Sequence, residues 1–266
     1  MEHATPCAPP EERPIIDLHA VSHSFSREER DVRAIDDVNL QVPAGCFATV
    51  VGPSGCGNST LLTIVAGLVK PTSGEIWVAD ERITGPRPDQ IGMVFQEATL
   101  LPWKTALGNI EFPLLLSHTD RSRRAERSRT LLDLVGLEEF AGHFPHELSG
   151  GMRQRIGIAR GLARDPRILL MDEPFSALDE QNRTNLGHEL LRIWEKTKKT
   201  VLFITHSLTE AVYLSDTVFV MSRSPGRILE VIKIGIPRPR PIEVIGSAEF
   251  GEYRNRIWKL LSETQR

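Results

Sequence analysis

The sequence has little that would place the protein outside the cell, in a membrane or on nucleic acid. Its three cysteines have unrelated spacings, so they indicate neither a disulfide framework nor a zinc site. No apolar run approaches the roughly 18 residues that span a bilayer. A net charge of −3 argues against a generic nucleic-acid binder, which has a clear basic excess. Residues 1–14 are acidic and proline-rich, and we expect a flexible leader there rather than a secretion signal.

The most informative absence is a single lysine. Residues 52–60 match the phosphate-binding pattern G-x-x-x-x-G-K-[ST], except that Asn58 stands where the pattern has lysine. Glycines let such a loop curve so that its backbone N–H groups point at phosphate oxygens. The helix that begins near Ser59 adds the positive end of its dipole, and the Ser59 hydroxyl is available to Mg²⁺. The predicted nucleotide-binding residues of this loop are Gly52, Pro53, Ser54, Gly55, Cys56, Gly57, Asn58, Ser59 and Thr60.

Asn58 predicts weak nucleotide binding and slow hydrolysis. Asparagine is shorter than lysine and neutral, although its amide can still donate a hydrogen bond. Replacing a charge-assisted hydrogen bond by a neutral or absent one forfeits about 1.5–3 kcal/mol of binding free energy. The effect on hydrolysis is larger, because the loss of one transition-state donor lowers a rate by about 10²–10³-fold.

The segments around the loop are those that a phosphate-binding loop requires. Residues 47–51 form a short apolar run typical of a buried strand, and residues 61–68 suit a buried helix that ends near Gly67. Elsewhere the pattern predicts a helical segment over residues 107–163 and strands over residues 15–51 (joined by a charged turn at 27–33), 74–78, 91–95, 168–171, 201–204 and 217–220. An α/β core interrupted by a helical insert is the simplest architecture.

Five further signals follow the phosphate loop in a fixed order. They are Gln96 at the end of a strand, Leu-Ser-Gly-Gly-Met-Arg-Gln-Arg at residues 148–155, Asp172 and Glu173 after an apolar strand, Ser-Ala-Leu-Asp at residues 176–179, and His206 after the strand at 201–205. Together these motifs resemble the nucleotide-binding subunits of ABC transporters over roughly residues 15–240. The Leu-Ser-Gly-Gly-x-x-x-Arg string is the most specific of them.

The resemblance implies a fold and a domain organisation. The fold class is α/β, with a RecA-like P-loop NTPase core, an antiparallel β subdomain and an inserted helical subdomain that carries the signature. Residues 15–240 are then the nucleotide-binding domain, with the helical subdomain at about 97–164. Residues 241–266 form a C-terminal helical extension, which either packs on the core or meets a partner.

The resemblance also implies roles for individual residues, with ATP and Mg²⁺ as the cofactors. Asp172 would hold Mg²⁺ through its water shell, together with Ser59 and Gln96, because a hard cation prefers oxygen ligands. Glu173 would polarise the attacking water or accept its proton, with Gln96 and His206 as the other catalytic residues. Phe25 occupies the place of the aromatic residue that stacks on adenine; a buried strand residue is the alternative.

Ser149 and Gly151 imply that the protein works as a dimer. In the family that the motifs resemble, the N-terminus of the signature helix presents its N–H groups to ATP held by the opposite subunit. Asp179 would lie at the same interface. The partner is a second ATP-binding subunit, so that the assembly is a homodimer or a heterodimer.

A finer resemblance links the chain to importers of nitrate, taurine and alkanesulfonates. It is carried by residues 85–90, 95–97, 100–103, 172–179 and 224–228. Leu100, Leu101 and Trp103 either form the groove that receives the membrane subunit or belong to the core of the helical subdomain.

The function implied is an ABC-type ATPase, peripheral on the cytoplasmic face of the inner membrane, that powers import of a small anion. Its partners would be integral membrane permease subunits and, indirectly, a periplasmic solute-binding protein. Because of Asn58, the alternative is a hydrolysis-impaired regulatory or structural subunit. A soluble ABC protein of DNA repair or translation is a third reading, but such proteins usually carry a long coiled coil or two tandem cassettes, and the sequence has neither.

Overall fold

The structure is a computed structural model that describes residues 13–27 and 30–263, so most of the predicted leader lies outside the described residues. The strands are β1 (Ile16–Arg27), β2 (Arg30–Val42), β3 (Phe47–Val51), β4 (Ser73–Val78), β5 (Glu81–Arg82), β6 (Ile91–Val94), β7 (Ile168–Asp172), β8 (Thr200–Thr205), β9 (Thr217–Met221) and β10 (Ile228–Lys233). The α-helices are α1 (Asn58–Val65), α2 (Ala106–Leu116), α3 (Arg121–Leu134), α4 (Gly150–Gly161), α5 (Glu180–Thr197), α6 (Leu208–Leu214) and α7 (Ala248–Glu263). Over these residues, no helix is both long and apolar enough to cross a membrane.

The chain divides into two compact units: residues up to Arg87 together with those from Lys198 onward, and Pro88–Thr197. The first unit contains an antiparallel sheet of order β2-β1-β4-β5 and the strand series β10-β9-β3-β8. In that series β3 runs parallel to β8 and β9, while β10 is antiparallel to β9. Every residue of β3 and β8 is buried, as expected for parallel strands covered on both faces.

The C-terminal helix α7 is part of the first unit. It packs against α6 and β9, and it buries Phe250 and Ile257. Of the two possibilities left open for the extension, the structure shows packing on the core. Arg240, which is 3% exposed, supports the preceding segment by donating to the carbonyls of Val212, Tyr213, Ser215 and Ile236. Burial lowers the pKa of Arg240 to about 10, so its guanidinium remains charged at neutral pH.

The second unit combines two parallel strands with helices. Strand β6 pairs with β7 from Ile91↔Ile168 to Val94↔Met171. Helix α2 contacts both α3 and α4, and these helices bury Leu131, Leu132 and Ile156. The apolar spacing that predicted helices in this part of the chain is therefore confirmed.

Several local predictions are confirmed and others are wrong. The helix after the phosphate loop begins at Asn58, one residue before the predicted Ser59, and the signature helix begins at Gly150 as predicted. The connection between β1 and β2 falls inside the predicted turn at residues 27–33, but the predicted bounds are too wide, because the pairing continues through Phe25↔Val32 to Arg27↔Arg30. Strand β10 was not predicted.

Candidate nucleotide-binding site

The phosphate loop connects β3 to α1 in the first unit. Gly57 is the N-cap of α1 and has φ = 99°, and Gly55 has φ = 78°, values that other residues rarely adopt. A glycine N-cap has no side chain that could accept from the first helical turn. No N-cap side chain therefore competes with a phosphate for the first N–H groups of α1.

Close packing accounts for two of the loop glycines. A Cβ on Gly52 would lie 2.8 Å from Cys56 Sγ, and a Cβ on Gly57 would lie 2.6 Å from the Ala34 carbonyl oxygen. Both distances are too short for a carbon atom. A Cβ on Gly55 would have no atom within 4 Å among the described residues, so that glycine is required only for its backbone conformation.

Asn58 is buried at the start of α1. The residue is 7% exposed, and its Oδ1 atom has no hydrogen-bond partner in the part of the chain that the structure describes. Leaving a buried acceptor unpaired costs about 1–3 kcal/mol. Ser54, Gly55 and Ser59 are exposed beside it. The loop thus presents backbone N–H groups and hydroxyls to solvent, with a neutral amide where the pattern has an ammonium group.

Two other predicted residues lie in the same unit. Because β3 and β8 are parallel and Val51 pairs with Thr205, Gly52 and His206 leave neighbouring strands at the same edge of the sheet. His206 is exposed there. Phe25 is 43% exposed, and its ring contacts that of His23 edge to face at 4.7 Å between centroids. The alternative that Phe25 is a buried strand residue is therefore wrong.

The second unit brings its own acidic residues and Gln96 together. Val94 pairs with Met171, so the residues after β6 and the residues at the end of β7 leave neighbouring strand ends. Asp172 is the last residue of β7, and Glu173 follows with φ = 41°. The Glu173 carbonyl accepts hydrogen bonds from the Ser176 N–H (3.2 Å) and the Ser176 hydroxyl (2.9 Å). These bonds stabilise a backbone conformation that is costly outside glycine.

Helix α4 supports the segment after β6 through two residues that the sequence analysis missed. The buried Gln154 amide donates to the Phe95 carbonyl at 3.2 Å. The guanidinium of Arg160 donates to the carbonyls of Ala98 (2.7 Å) and Thr99 (2.9 Å), and burial lowers the pKa of Arg160. Their spacing carries no sequence signal, because the bonds go to backbone atoms about 60 residues away.

The signature segment opens α4. Ser149 is the N-cap, and its hydroxyl accepts from the Met152 N–H at 3.2 Å. Ser149 and Gly150 are exposed, and a Cβ on Gly151 would have no atom of the described residues within 4 Å. Asp179 is exposed before α5, where it accepts from the Asn182 N–H (3.0 Å) and Asn182 Nδ2 (2.6 Å), and these bonds lower the pKa of Asp179.

The second unit also has an apolar groove of about 420 Å³. Its lining includes Met93, Phe95, Leu101, Phe112, Leu116 and Arg160. Leu101 lies in this groove, and Leu116 is 64% exposed. Trp103 is 70% exposed, so the alternative that this residue belongs to the core of the helical subdomain is wrong.

The sequence of this chain is similar to those of known proteins over most of its length. Residues 35–176 match the family described as ABC transporter. The chain is 51% identical over 232 residues to an uncharacterized ABC transporter ATP-binding protein of Methanocaldococcus jannaschii (87% of this chain, 85% of the relative). It is 44% identical to an aliphatic sulfonates import ATP-binding protein of Bacillus cereus (91% and 94% covered) and 44% identical to a taurine import ATP-binding protein of Rhizobium johnstonii (93% and 96% covered).

Solved structures agree with the sequence comparison. One is a dimeric ATP-binding cassette in a post-hydrolysis state bound to ADP and Pi, with a TM-score of 0.72 and 33% identity, covering 82% of this chain and 98% of that chain. Another is a dimeric bacterial ABC transporter cassette with a TM-score of 0.73 and 34% identity, at the same coverage. The predicted fold class, an α/β P-loop NTPase, is confirmed.

Proposed function

This chain belongs to the ATP-binding subunits of the ABC transporter family, which makes it an ABC-type ATPase, and we propose that it powers import of a small anion, of the sulfonate or taurine type, through membrane permease subunits. Support for import comes from two relatives, at 44% identity each, that are named for import of aliphatic sulfonates and of taurine. The observation that carries nucleotide binding is the phosphate loop, whose glycine N-cap at Gly57 puts no side chain in competition with a phosphate at the start of α1.

The proposed roles of the residues follow from their positions within each unit. The backbone of the loop binds the phosphates, and Phe25 stacks on the adenine. Glu173 orients the attacking water and accepts its proton, while His206 donates to the terminal phosphate. Ser59, Asp172 and Gln96 supply the oxygen ligands that Mg²⁺ prefers, and when bound the ion neutralises charge on the phosphates.

Asn58 makes the proposed hydrolysis slow. The amide supplies no positive charge to the phosphates, and its buried Oδ1 is an acceptor, as are the phosphate oxygens. Binding therefore depends on backbone N–H groups and on the helix dipole. The absence of a positive charge at residue 58 is the expected origin of weak affinity. The proposed catalytic residues Glu173, Gln96 and His206 are still present in the sequence.

The exposed signature segment supports a dimer. The N-terminus of α4 is exposed at Ser149 and Gly150, and a helix N-terminus attracts an anion. The solved structures that resemble this chain are dimeric cassettes. We propose that Ser149 and Gly151 complete a nucleotide site held by a second ATP-binding subunit, with Asp179 at the same interface. That subunit is a second copy of this chain or a related one.

The apolar groove supports the permease as a partner. Exposed Leu116 in the lining of this apolar groove is a feature of the kind that protein partners cover, and Trp103, two residues after the groove residue Leu101, is also exposed. We propose that this groove receives a cytoplasmic segment of the permease, which places the subunit at the cytoplasmic face of the membrane.

The test is reconstitution of the chain with a permease and a solute-binding protein in vesicles. We expect ATP-dependent uptake of taurine or an alkanesulfonate, and nitrate serves as the competing small anion. Equilibrium titration with MgATP is run in parallel on the wild-type chain and on Asn58→Lys. If neither protein binds nucleotide at millimolar concentration, the proposed function is wrong; if both bind and no small anion is transported, only the substrate class is wrong.

A further inference from the structure

The turn that joins β9 to β10 is fastened by its own hydrogen bonds. In this 222–227 turn, the Ser222 N–H donates to the Arg227 carbonyl (2.9 Å), and the Arg227 N–H donates to the Ser222 hydroxyl oxygen (2.9 Å). The Ser222 hydroxyl in turn donates to the Pro225 carbonyl (3.0 Å). In the sequence, residues 224–228 carry part of the finer resemblance to importers of nitrate, taurine and alkanesulfonates. Their place in the structure gives them a separate role.

The 222–227 turn lies against the backbone of the phosphate loop. A Cβ on Gly226 would be 2.2 Å from the Cys56 carbonyl oxygen. The Gly226 N–H donates to the Ala34 carbonyl at 2.9 Å, and the same oxygen would be 2.6 Å from a Cβ on Gly57. Three backbone segments, from β2, the phosphate loop and this turn, therefore meet where no side-chain carbon fits.

This contact fixes the direction of one peptide group in the loop. In a planar trans peptide, the C=O and the following N–H point in opposite directions. Because the Cys56 carbonyl faces Gly226, the Gly57 N–H points away from the turn. We propose that the 222–227 turn is a positioning element for the phosphate loop, setting the orientation of N–H groups that bind the nucleotide; this inference rests on the proposed function.

An ion pair holds the 222–227 turn in place. Asp36, 4% exposed on β2, accepts from Arg227 Nε at 2.8 Å and from Arg33 Nη2 at 2.5 Å. The Asp36 N–H also donates to the Gly226 carbonyl at 2.9 Å. Removing the Arg227 guanidinium would leave the buried carboxylate with one cation fewer, so the turn would lose this ion pair to β2 and keep its backbone hydrogen bonds to Ala34 and Asp36.

Asn58 makes this positioning more important than it would be in a loop with lysine. An ammonium on a flexible stem reaches a phosphate from a range of loop conformations, whereas backbone N–H groups bind only when the loop holds them in the correct direction. Affinity in this chain should therefore respond to changes in the 222–227 turn.

The first test adds one methyl group. Gly226→Ala is compared with Gly246→Ala, whose Cβ would have no atom within 4 Å among the described residues. A Cβ at residue 226 would lie 2.1 Å from Met221 Cε, the end of a flexible side chain, and 2.2 Å from the Cys56 carbonyl oxygen, which is backbone. We expect Gly226→Ala to weaken nucleotide binding about tenfold, since the Cys56 carbonyl must shift even after the Met221 side chain has moved. Gly246→Ala should retain wild-type affinity. The measurements are the dissociation constant for MgATP, the KM and kcat of hydrolysis, and the thermal unfolding midpoint.

The second test removes the ion pair without adding bulk. We expect Arg227→Gln to weaken binding about fivefold with a smaller change in kcat, and Arg227→Lys to restore part of the loss. Arg256→Gln is the control, because Arg256 pairs with Glu230 on β10 in the same unit, and this ion pair includes no residue of the phosphate loop or of the 222–227 turn. In the Asn58→Lys background, the effect of Arg227→Gln should shrink.

The outcomes separate the two proposals. If the wild-type chain binds nucleotide and both turn variants bind it equally well, the positioning role is wrong. The same conclusion follows if Arg227→Gln and Arg256→Gln lose affinity equally. If neither the wild-type chain nor the controls bind nucleotide, it is the proposed function that fails.

Discussion

The phosphate loop and the signature segment are both glycine-rich openings of a helix, but their surroundings differ. In the loop, a Cβ on Gly52 or Gly57 would collide with neighbouring atoms of the same unit. In the signature, a Cβ on Gly151 would meet open space among the described residues. Gly57 leaves the N-terminus of α1 uncapped by a side chain, whereas Ser149 caps α4 with its hydroxyl.

The difference shows where the requirement for each glycine arises. Packing inside the chain itself demands Gly52 and Gly57, so their replacement should damage the fold. No described atom lies within 4 Å of a Cβ on Gly151, and we expect its role to lie in what binds there. Substitutions in these two regions should therefore distinguish damage to folding from damage to function.

The largest expected effect is on hydrolysis, at Glu173. Replacing Glu173 by Gln removes the proton acceptor and should lower ATP turnover about 10²–10⁴-fold while MgATP still binds. The measurement is best made in the Asn58→Lys background, where the starting rate is higher. Turnover within a few-fold of the parent protein would show that Glu173 is not the base.

Asn58→Lys should strengthen nucleotide binding and raise turnover. The added ammonium contributes a charge-assisted hydrogen bond, which corresponds to an increase of about tenfold or more in affinity. Turnover should rise by up to about 10²-fold. Titration and steady-state ATPase assays measure both, with Asn58→Gln as a longer but neutral control. An equal gain in Asn58→Gln would assign the effect to side-chain length.

Gly151→Asp should abolish most activity without loss of stability. A carboxylate at the first turn of α4 interacts favourably with the helix dipole, by about 0.3–1 kcal/mol. The same negative charge repels a triphosphate. Because electrostatic stabilisation of the transition state would be lost, the rate of ATP hydrolysis should fall at least about tenfold. Gly151→Asn is the neutral control of matched size. If the two variants retain equal activity, the signature does not face a nucleotide.

The smallest effects are on folding, and they contrast the two regions directly. Gly57→Ala places a Cβ against the Ala34 carbonyl at a positive φ, so the free energy of unfolding should fall by about 3 kcal/mol. Gly151→Ala should instead raise it by about 0.5–1 kcal/mol, because alanine favours the helix. Chemical denaturation measures both. Equal losses would contradict the comparison.

Much of the fold was predictable because the local apolar pattern of many segments matches their burial in the tertiary structure. Continuous apolar runs identified β3, β7, β8 and β9, since parallel strands buried on both faces leave no alternation. Strand β10 was missed because Leu229 and Val231 are exposed and the strand lies at an edge of its sheet. The turn predicted at residues 27–33 was too long, because cross-strand pairing extends the two strands into this charged segment.

The candidate site divides in the same way. The order of its motifs is a property of the sequence, as is the missing lysine at residue 58. The contacts of Gln154, Arg160 and Arg227 were not predictable, because each side chain bonds to atoms remote in sequence and such bonds leave no periodic pattern. The roles of Phe25, Asp179 and the other site residues stay predictions.

The sequence by itself determined the family, the phosphate loop and its neutral Asn58, because residue type and short spacing encode them. Only the tertiary structure decided that Asn58 is buried with its Oδ1 unpaired among the described residues, that Phe25 is exposed, and that Gly226 lies against the Cys56 carbonyl. The physical reason is that burial and close backbone contact depend on which segments, distant in sequence, lie next to each other. Those contacts are determined by packing within the whole unit and not by a local sequence pattern.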